Sequence, residues 1–191
     1  SAAGTSVDAQ AVTPRTLVEI KDISHLSVSP DGKVAVFRVS HPSIERNLIE
    51  TVWYTKALGT DQAPIRIADG GNAILMDAGV PINEHPTWSP DGRYVFYRAR
   101  FDGAIQVWAA RVDGTHAYQV TYDAADVDTF NLSADGERVE YAVRASRALI
   151  REIEQREYDQ GIHIDGTTPM GVPLYRYRAY DNGLAYSHRF T

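Results

Sequence analysis

Ser29-Pro30-Asp31-Gly32 recurs as Ser89-Pro90-Asp91-Gly92 and, changed at one position, as Ser133-Ala134-Asp135-Gly136, at intervals of 60 and 44 residues. A turn that returns between apolar strands marks one supersecondary unit copied and stacked. The shorter interval matches the period of about 40–45 residues of a four-stranded propeller blade. Each residue of the tetrapeptide has turn chemistry. Pro sets φ near about −65°, which suits the second position of a type I turn. Asp bonds its own backbone two residues on, and Gly accepts the positive φ of a bulged hairpin loop. The third copy has Ala134 for Pro but keeps Asp135 and Gly136, so its turn is expected to persist.

The flanks carry the same period. Leu26 and Val28, Pro86 and Trp88, and Phe130 and Leu132 precede the serines at matching offsets. Ala35, Phe37 and Val39, then Val95, Tyr97 and Ala99, then Val139, Tyr141 and Val143 follow the glycines. Between them lie more polar positions, Arg38, Arg98 and Glu140 among them. Alternation with period two predicts a hairpin with one buried face, the face carrying those apolar residues. In the first two copies Val52-Trp53 and Val107-Trp108 begin a third strand. Gly59-Thr60 and Gly114-Thr115 turn it, and Ile65–Ile67 and Tyr118–Val120 supply a fourth. The first copy is 16 residues longer than the second, 5 of them near His41–Glu50 and 11 in Gly70–Glu84. Insertions of this kind go to loops on one face, often the binding face.

The fold class that follows is all-β, a partial propeller of about three four-stranded blades with one inserted helix. Closed propellers have about 4–8 blades, and an open stack leaves strand edges exposed. Three blades are therefore expected to need further chain, or a companion chain, to be complete. Residues 1–13, small and polar, read as a flexible tail, and 14–191 as N-terminal blades of the propeller. Arg144–Tyr158 lacks Gly and Pro, carries Leu149, Ile150 and Ile153 on one stripe, and can pair Glu152 with Arg156. It reads as the helix, inserted after the second strand of the third blade, either packing over the rim or facing substrate. Gly161–Gly166 is expected to return to extended structure, and Leu174–Ala179 to form a strand ahead of a turn at Asp181-Asn182-Gly183.

Composition excludes several functions. A net charge of −6 disfavours nucleic-acid and anionic-membrane partners. No apolar run approaches the roughly 20 residues of a membrane helix. With no cysteine there is no disulfide, zinc-thiolate or thiol-nucleophile chemistry. The lack of cysteine suits cytosol and periplasm alike, with the small polar N-terminal stretch favouring the periplasm slightly. No Gly-x-Ser-x-Gly elbow, His-Glu-x-x-His pair or phosphate-cradling glycine loop is present. No catalytic residue, metal ligand or cofactor is therefore assigned. Asp123, Asp126 and Asp128 have oxygen-ligand chemistry, and so has His163 with Asp165. The default readings for them are a polar inter-blade loop and a strand-edge histidine. Trp53, Trp88 and Trp108 read as core. Glu45 and Arg46, opposite charges side by side in the first insertion, are the candidate substrate-binding residues; a solvated loop, a structural ion pair or contact with an adjoining domain are the other readings.

Longer runs narrow the reading. The Ser-Pro-Asp-Gly blades resemble the N-terminal propeller of prolyl-oligopeptidase-type serine hydrolases and the repeats of TolB-like proteins. Pro14–Ile20, Leu26–Gly32, Phe37–Val39, Ser43–Asn47, Val52–Tyr54, Trp88–Gly92, Leu132–Gly136 and Glu157–Asp165 together resemble the N-terminal part of bacterial lasso peptide isopeptidases. The resemblance implies a serine hydrolase that opens the isopeptide bond of a lasso peptide ring. It implies a Ser-His-Asp triad in a C-terminal α/β-hydrolase domain outside this chain, and a propeller that holds and gates the substrate. The partners implied are the lasso peptide and that hydrolase domain. A TolB-like binding module without catalysis, or a peptidase acting on linear peptides, are the alternatives.

Overall fold

The computed structural model describes residues 13–75, 80–82, 85–161 and 186–190. In each of the three turns the Ser hydroxyl donates to the Asp carboxylate and accepts a backbone N–H from five residues on. For Ser29 these distances are 2.6 Å to Asp31 and 3.0 Å from Val34; for Ser89 they are 2.6 Å to Asp91 and 2.9 Å from Tyr94. Ser133, Asp135 and Arg138 repeat the arrangement without the proline.

The turns set the strands. The first blade is β1 (Asp22–Val28), β2 (Val34–Ser43), β3 (Leu48–Ala57) and β4 (Ile65–Asn72), consecutive and antiparallel. The second is β5 (Thr87–Trp88), β6 (Tyr94–Phe101), β7 (Ala104–Arg111) and β8 (Ala117–Gln119) in the same order. The third pairs β9 (Ala125–Leu132) with β10 (Val139–Ser146), and β11 (Tyr186–Phe190) lies on the other side of β10. β11 thus takes the place that β7 holds in the second blade. Between β10 and β11 the chain makes α2 (Arg147–Gln160), an insertion after the second strand of the blade. The helix starts three residues later than the sequence predicts, because β10 pairs as far as Ser146 with Ala125, and the Ser146 hydroxyl then accepts from the Leu149 N–H at 3.2 Å. The Arg156–Glu152 pair forms at 3.8 Å. A short α1 (Pro14–Val18), capped by Thr13, precedes the first blade. The rest of the expected tail, most of Gly161–Gly166, Leu174–Ala179 and Asp181–Gly183 lie outside the described residues.

The core lies between the blades. Val36 and Trp53 of the first blade pack with Val95, Tyr97 and Ala99 of the second. Phe96, Val107 and Ala109 of the second pack with Val127, Val139 and Val143 of the third. One side chain in two therefore faces the preceding blade and the next faces the following one. This corrects the one-face expectation for the first hairpin. There Ala35 is buried as expected, but beyond it Val36 and Arg38 are buried, Phe37 and Val39 are half-buried, and Leu26 and Val28 are exposed. Phe37 and Val39 lie on the face of the preceding blade, where no described strand packs, so the alternation inverts. In the second blade both faces are covered, and Val95, Phe96 and Tyr97 are buried in succession. Trp53 is core; Trp88 and Trp108 are half-buried beside it.

Polar contacts also cross between blades. Arg98, the repeat equivalent of Arg38, donates to the Val127 carbonyl at 2.8 Å and to that of Asp128. Gln106 donates to the carbonyls of Asp123 and Ala125 at 3.1 Å and accepts from the Thr121 hydroxyl at 2.7 Å. The first two blades also touch through backbone. β4 meets β6 in parallel at Gly71 and Asn72 against Arg100. Gly71 has φ 69°, and a Cβ there would stand 2.4 Å from the Arg100 carbonyl oxygen. Gly32 has φ 73° but nothing within 4 Å of its own Cβ position.

Two glycine substitutions are therefore expected to differ. Gly32→Ala carries only the left-handed backbone penalty, about 1 kcal/mol. Gly71→Ala adds a backbone collision between blades and is expected to cost ~3 kcal/mol or more. Calorimetric unfolding of the two variants checks this; equal losses would mean that the β4–β6 approach is not close.

Candidate functional site

The described parts of both insertions of the first blade lie at one rim. The turn Ile44–Asn47 between β2 and β3, the end of β4, the Asp102-Gly103 turn between β6 and β7, and the start of α2 all come to this end of the strands. The Ser-Asp-Gly turns occupy the opposite rim. Three grooves open here, and Arg100 lines all of them. The largest, about 750 Å³, is walled mainly by Val18, Pro42, Ile44, Leu48, Ile49 and Leu75. A second, about 470 Å³, is polar and includes His41, Glu50, Tyr54, Asp69 and Asp102. The third, about 520 Å³, runs along α2 past Asp126, Arg147, Arg151 and Glu154.

Most of the charges around the rim are paired. Arg46 meets Glu50 at 2.7 Å, and Glu45 pairs with Arg15, which also reaches Glu19 at 3.4 Å. Glu45 and Arg46 are exposed and stand beside the apolar groove, whose wall is made by their neighbours Ile44 and Asn47. Arg147 lies 3.7 Å from Asp126, whose carboxylate accepts the Ile105 N–H at 2.9 Å. The Asp123 carboxylate accepts the Ala125 N–H at 2.8 Å. The carboxylates of Asp123 and Asp126 thus serve the backbone. Among the described residues no group of three His, Asp or Glu side chains stands close enough to hold a metal. His163 and Asp165 lie outside the described residues.

A second cluster, not anticipated from sequence, lies buried in the first blade. His25, at φ 60°, sets its ring edge-on to Trp53 at 6.2 Å, and the Arg38 guanidinium lies 5.8 Å from the Trp53 ring centroid. Arg38 Nε and Trp53 Nε1 are buried without hydrogen-bond partners among the described residues. Burial, then the charges of Arg38 and His85, depress the His25 pKa to about 4, with a backbone hydrogen bond at Ile82 and then Asp22 pulling the other way. Burial likewise lowers that of Arg38. His25 Nδ1 stands 2.6 Å from the Ser24 hydroxyl. Such a weak base does not activate a serine near neutral pH, so the contact is not a nucleophilic dyad.

No protein-family model matches the chain. It is 29% identical to a dipeptidyl-peptidase 5 of Porphyromonas endodontalis over 148 residues, 78% of this chain and 20% of that protein. Among solved structures it resembles the AtxE2 isopeptidase, with a TM-score of 0.70 and 25% identity over 87% of this chain and 29% of that one. A variant of the same enzyme with Astexin3-dC4 bound gives 0.62 and 26% over 82% and 27%. Pyrococcus horikoshii acylaminoacyl peptidase shares the fold, at a TM-score of 0.52 and 16% identity over 81% of this chain and 20% of that one. The chain therefore spans under a third of each of these proteins. Among the described residues no helix is long and apolar enough to cross a membrane.

The His25 cluster is acid-sensitive. An imidazole held neutral in the fold contributes stability that is fully present above about pH 6.5 and is lost as pH falls through 4, by up to ~3 kcal/mol. The His25 ring resonances are expected to titrate near pH 4. His25→Asn, which tolerates the left-handed backbone, is expected to flatten the stability slope between those pH values. A midpoint near 6.5 would contradict the burial.

Proposed function

We propose that this chain, a partial propeller resembling that of an isopeptidase of prolyl-oligopeptidase type, is the N-terminal propeller segment of a serine hydrolase. The whole protein then opens the isopeptide bond of a lasso peptide ring. The observation that carries the reading is the likeness to AtxE2 in both fold and sequence over most of this chain. The remaining blades and an α/β-hydrolase domain lie outside it. The open face of Phe37 and Val39 is where a further blade packs.

In this reading the hydrolase domain supplies the serine, histidine, aspartate and oxyanion donors. The serine attacks the isopeptide carbonyl, the histidine passes its proton to the leaving amine, and water releases the acyl group. The propeller residues do none of these steps. Three blades locked through shared cores and backbone contact form a stiff frame. A stiff frame holds a stiff, threaded substrate at little entropic cost. Glu45 and Arg46, on the longest described hairpin of the rim, contact that substrate, exchanging their ion pairs with Arg15 and Glu50 for it.

The dipeptidyl-peptidase 5 relative favours a second reading, a peptidase of linear peptides. Incubating the full-length protein with a threaded lasso peptide and with its linear counterpart separates the two. The isopeptidase reading expects the threaded form to gain one water and the linear form to stay intact. Stepwise shortening of the linear form with the lasso untouched would support the peptidase instead. Under the first reading Glu45→Ala and Arg46→Ala are each expected to lower kcat/KM about tenfold; unchanged values would remove both from the substrate contact.

A further inference from the structure

The repeat explains most of the rim but not Arg100. Its backbone is fixed by the β4–β6 contact, where only Gly71 lets the two strands approach. Its side chain is exposed at the meeting point of the three grooves. Neighbouring arginines of the rim have carboxylate partners: Arg46 with Glu50, Arg15 with Glu45, and Arg147 with Asp126. Among the described residues no carboxylate forms an ion pair with Arg100. In a chain of net charge −6, Arg100 is thus a cation without an ion-pair partner among the described residues, placed where the three grooves meet.

The groove that leads to it is apolar. Val18, Ile44 and Leu75 remain exposed along it, and Pro42, Leu48 and Ile49 form its half-buried floor. Concave apolar surface closed by one fixed cation suits a particular ligand: a chain segment with apolar side chains that presents a negative group at one end. A guanidinium offers two parallel N–H donors to a carboxylate, a pairing both strong and orientation-specific. Arg151 and Arg147 of α2 line the groove on the far side together with Asp126 and Glu154, and the polar groove adds Glu50, Asp69 and Asp102, so the apolar groove is the side of Arg100 on which no carboxylate among the described residues lines the wall.

We propose that the apolar groove and Arg100 form a subsite for a peptide carboxylate, with apolar side chains lying between α1 and the β2–β3 hairpin and the carboxylate seated on Arg100. The proposal rests on the reading that a peptide substrate approaches this rim, and it names the feature of the peptide that the rim recognises. Both a C-terminal α-carboxylate and an Asp or Glu side chain carry the required chemistry.

Fluorescence anisotropy with the full-length protein tests it. The probes are a fluorescein-labelled hexapeptide of alternating leucine and serine with a free C-terminus, its C-terminal amide, and that amide with aspartate in the last position. The free acid is expected to bind about tenfold more tightly than the amide, with the difference vanishing in Arg100→Gln and partly restored in Arg100→Lys. Recovery of affinity by the aspartate amide supports the subsite and assigns it to side-chain carboxylates; no recovery assigns it to the C-terminus. Equal binding of acid and amide by the unmodified protein, or no binding of any probe, would overturn the proposal without depending on how a variant folds. Tight, carboxylate-dependent binding without hydrolysis of any peptide would fell the hydrolase reading alone. Hydrolysis indifferent to the carboxylate would fell only this subsite.

Discussion

Everything in the three blades depends on how one serine hydroxyl is shared. In each turn it donates to an aspartate two residues on and accepts an N–H from the strand that follows. The aspartate in turn takes the N–H next to the glycine. The turn is thereby closed from within and fixes which residues of the two strands face each other. These same bonds, from the serine hydroxyl first, hold the carboxyls of Asp31, Asp91 and Asp135 below the ordinary aspartate range. The same bonds therefore favour the charged form of each aspartate. Proline is not essential to it, since Ala134 occupies its place in the third copy.

Turn chemistry acts within a few residues, which is why it was legible in the sequence. So was α2, whose apolar stripe and internal ion pair are likewise local. The direction of burial was not. Whether Val36 or Phe37 is covered depends on which neighbouring blade is present, and no window of sequence around β2 contains that information. β11 escaped for a related reason: its pairing with β10 joins segments far apart in the chain. The buried Gln106–Thr121 contact was hidden too, because polar residues in a strand read as solvent-facing until the next blade covers them.

The rim divides in the same way. The adjacent charges of Glu45 and Arg46 marked their loop, but their partners Arg15 and Glu50 come from other elements and follow only from the fold. Arg100 carries no local signal at all; a single arginine in a strand is unremarkable in sequence. Its position derives from the approach of Gly71, a glycine whose role shows only once the two blades are side by side. The chemistry of such a surface comes less from the motif that repeats than from the places where repeats meet.

The third blade differs from the others in how it is wired. β6 and β7 are joined by the two residues Asp102 and Gly103, whereas β10 reaches its outer neighbour only after the whole span from Ser146 to Tyr186. Closing so long a span carries a larger entropic cost before any contact rewards it. During synthesis and refolding, the first two blades can zip from their hairpins, while the edge of β10 waits open for β11. The order of assembly is thus written into the topology, with the helix-bearing blade the last of the three to be sealed.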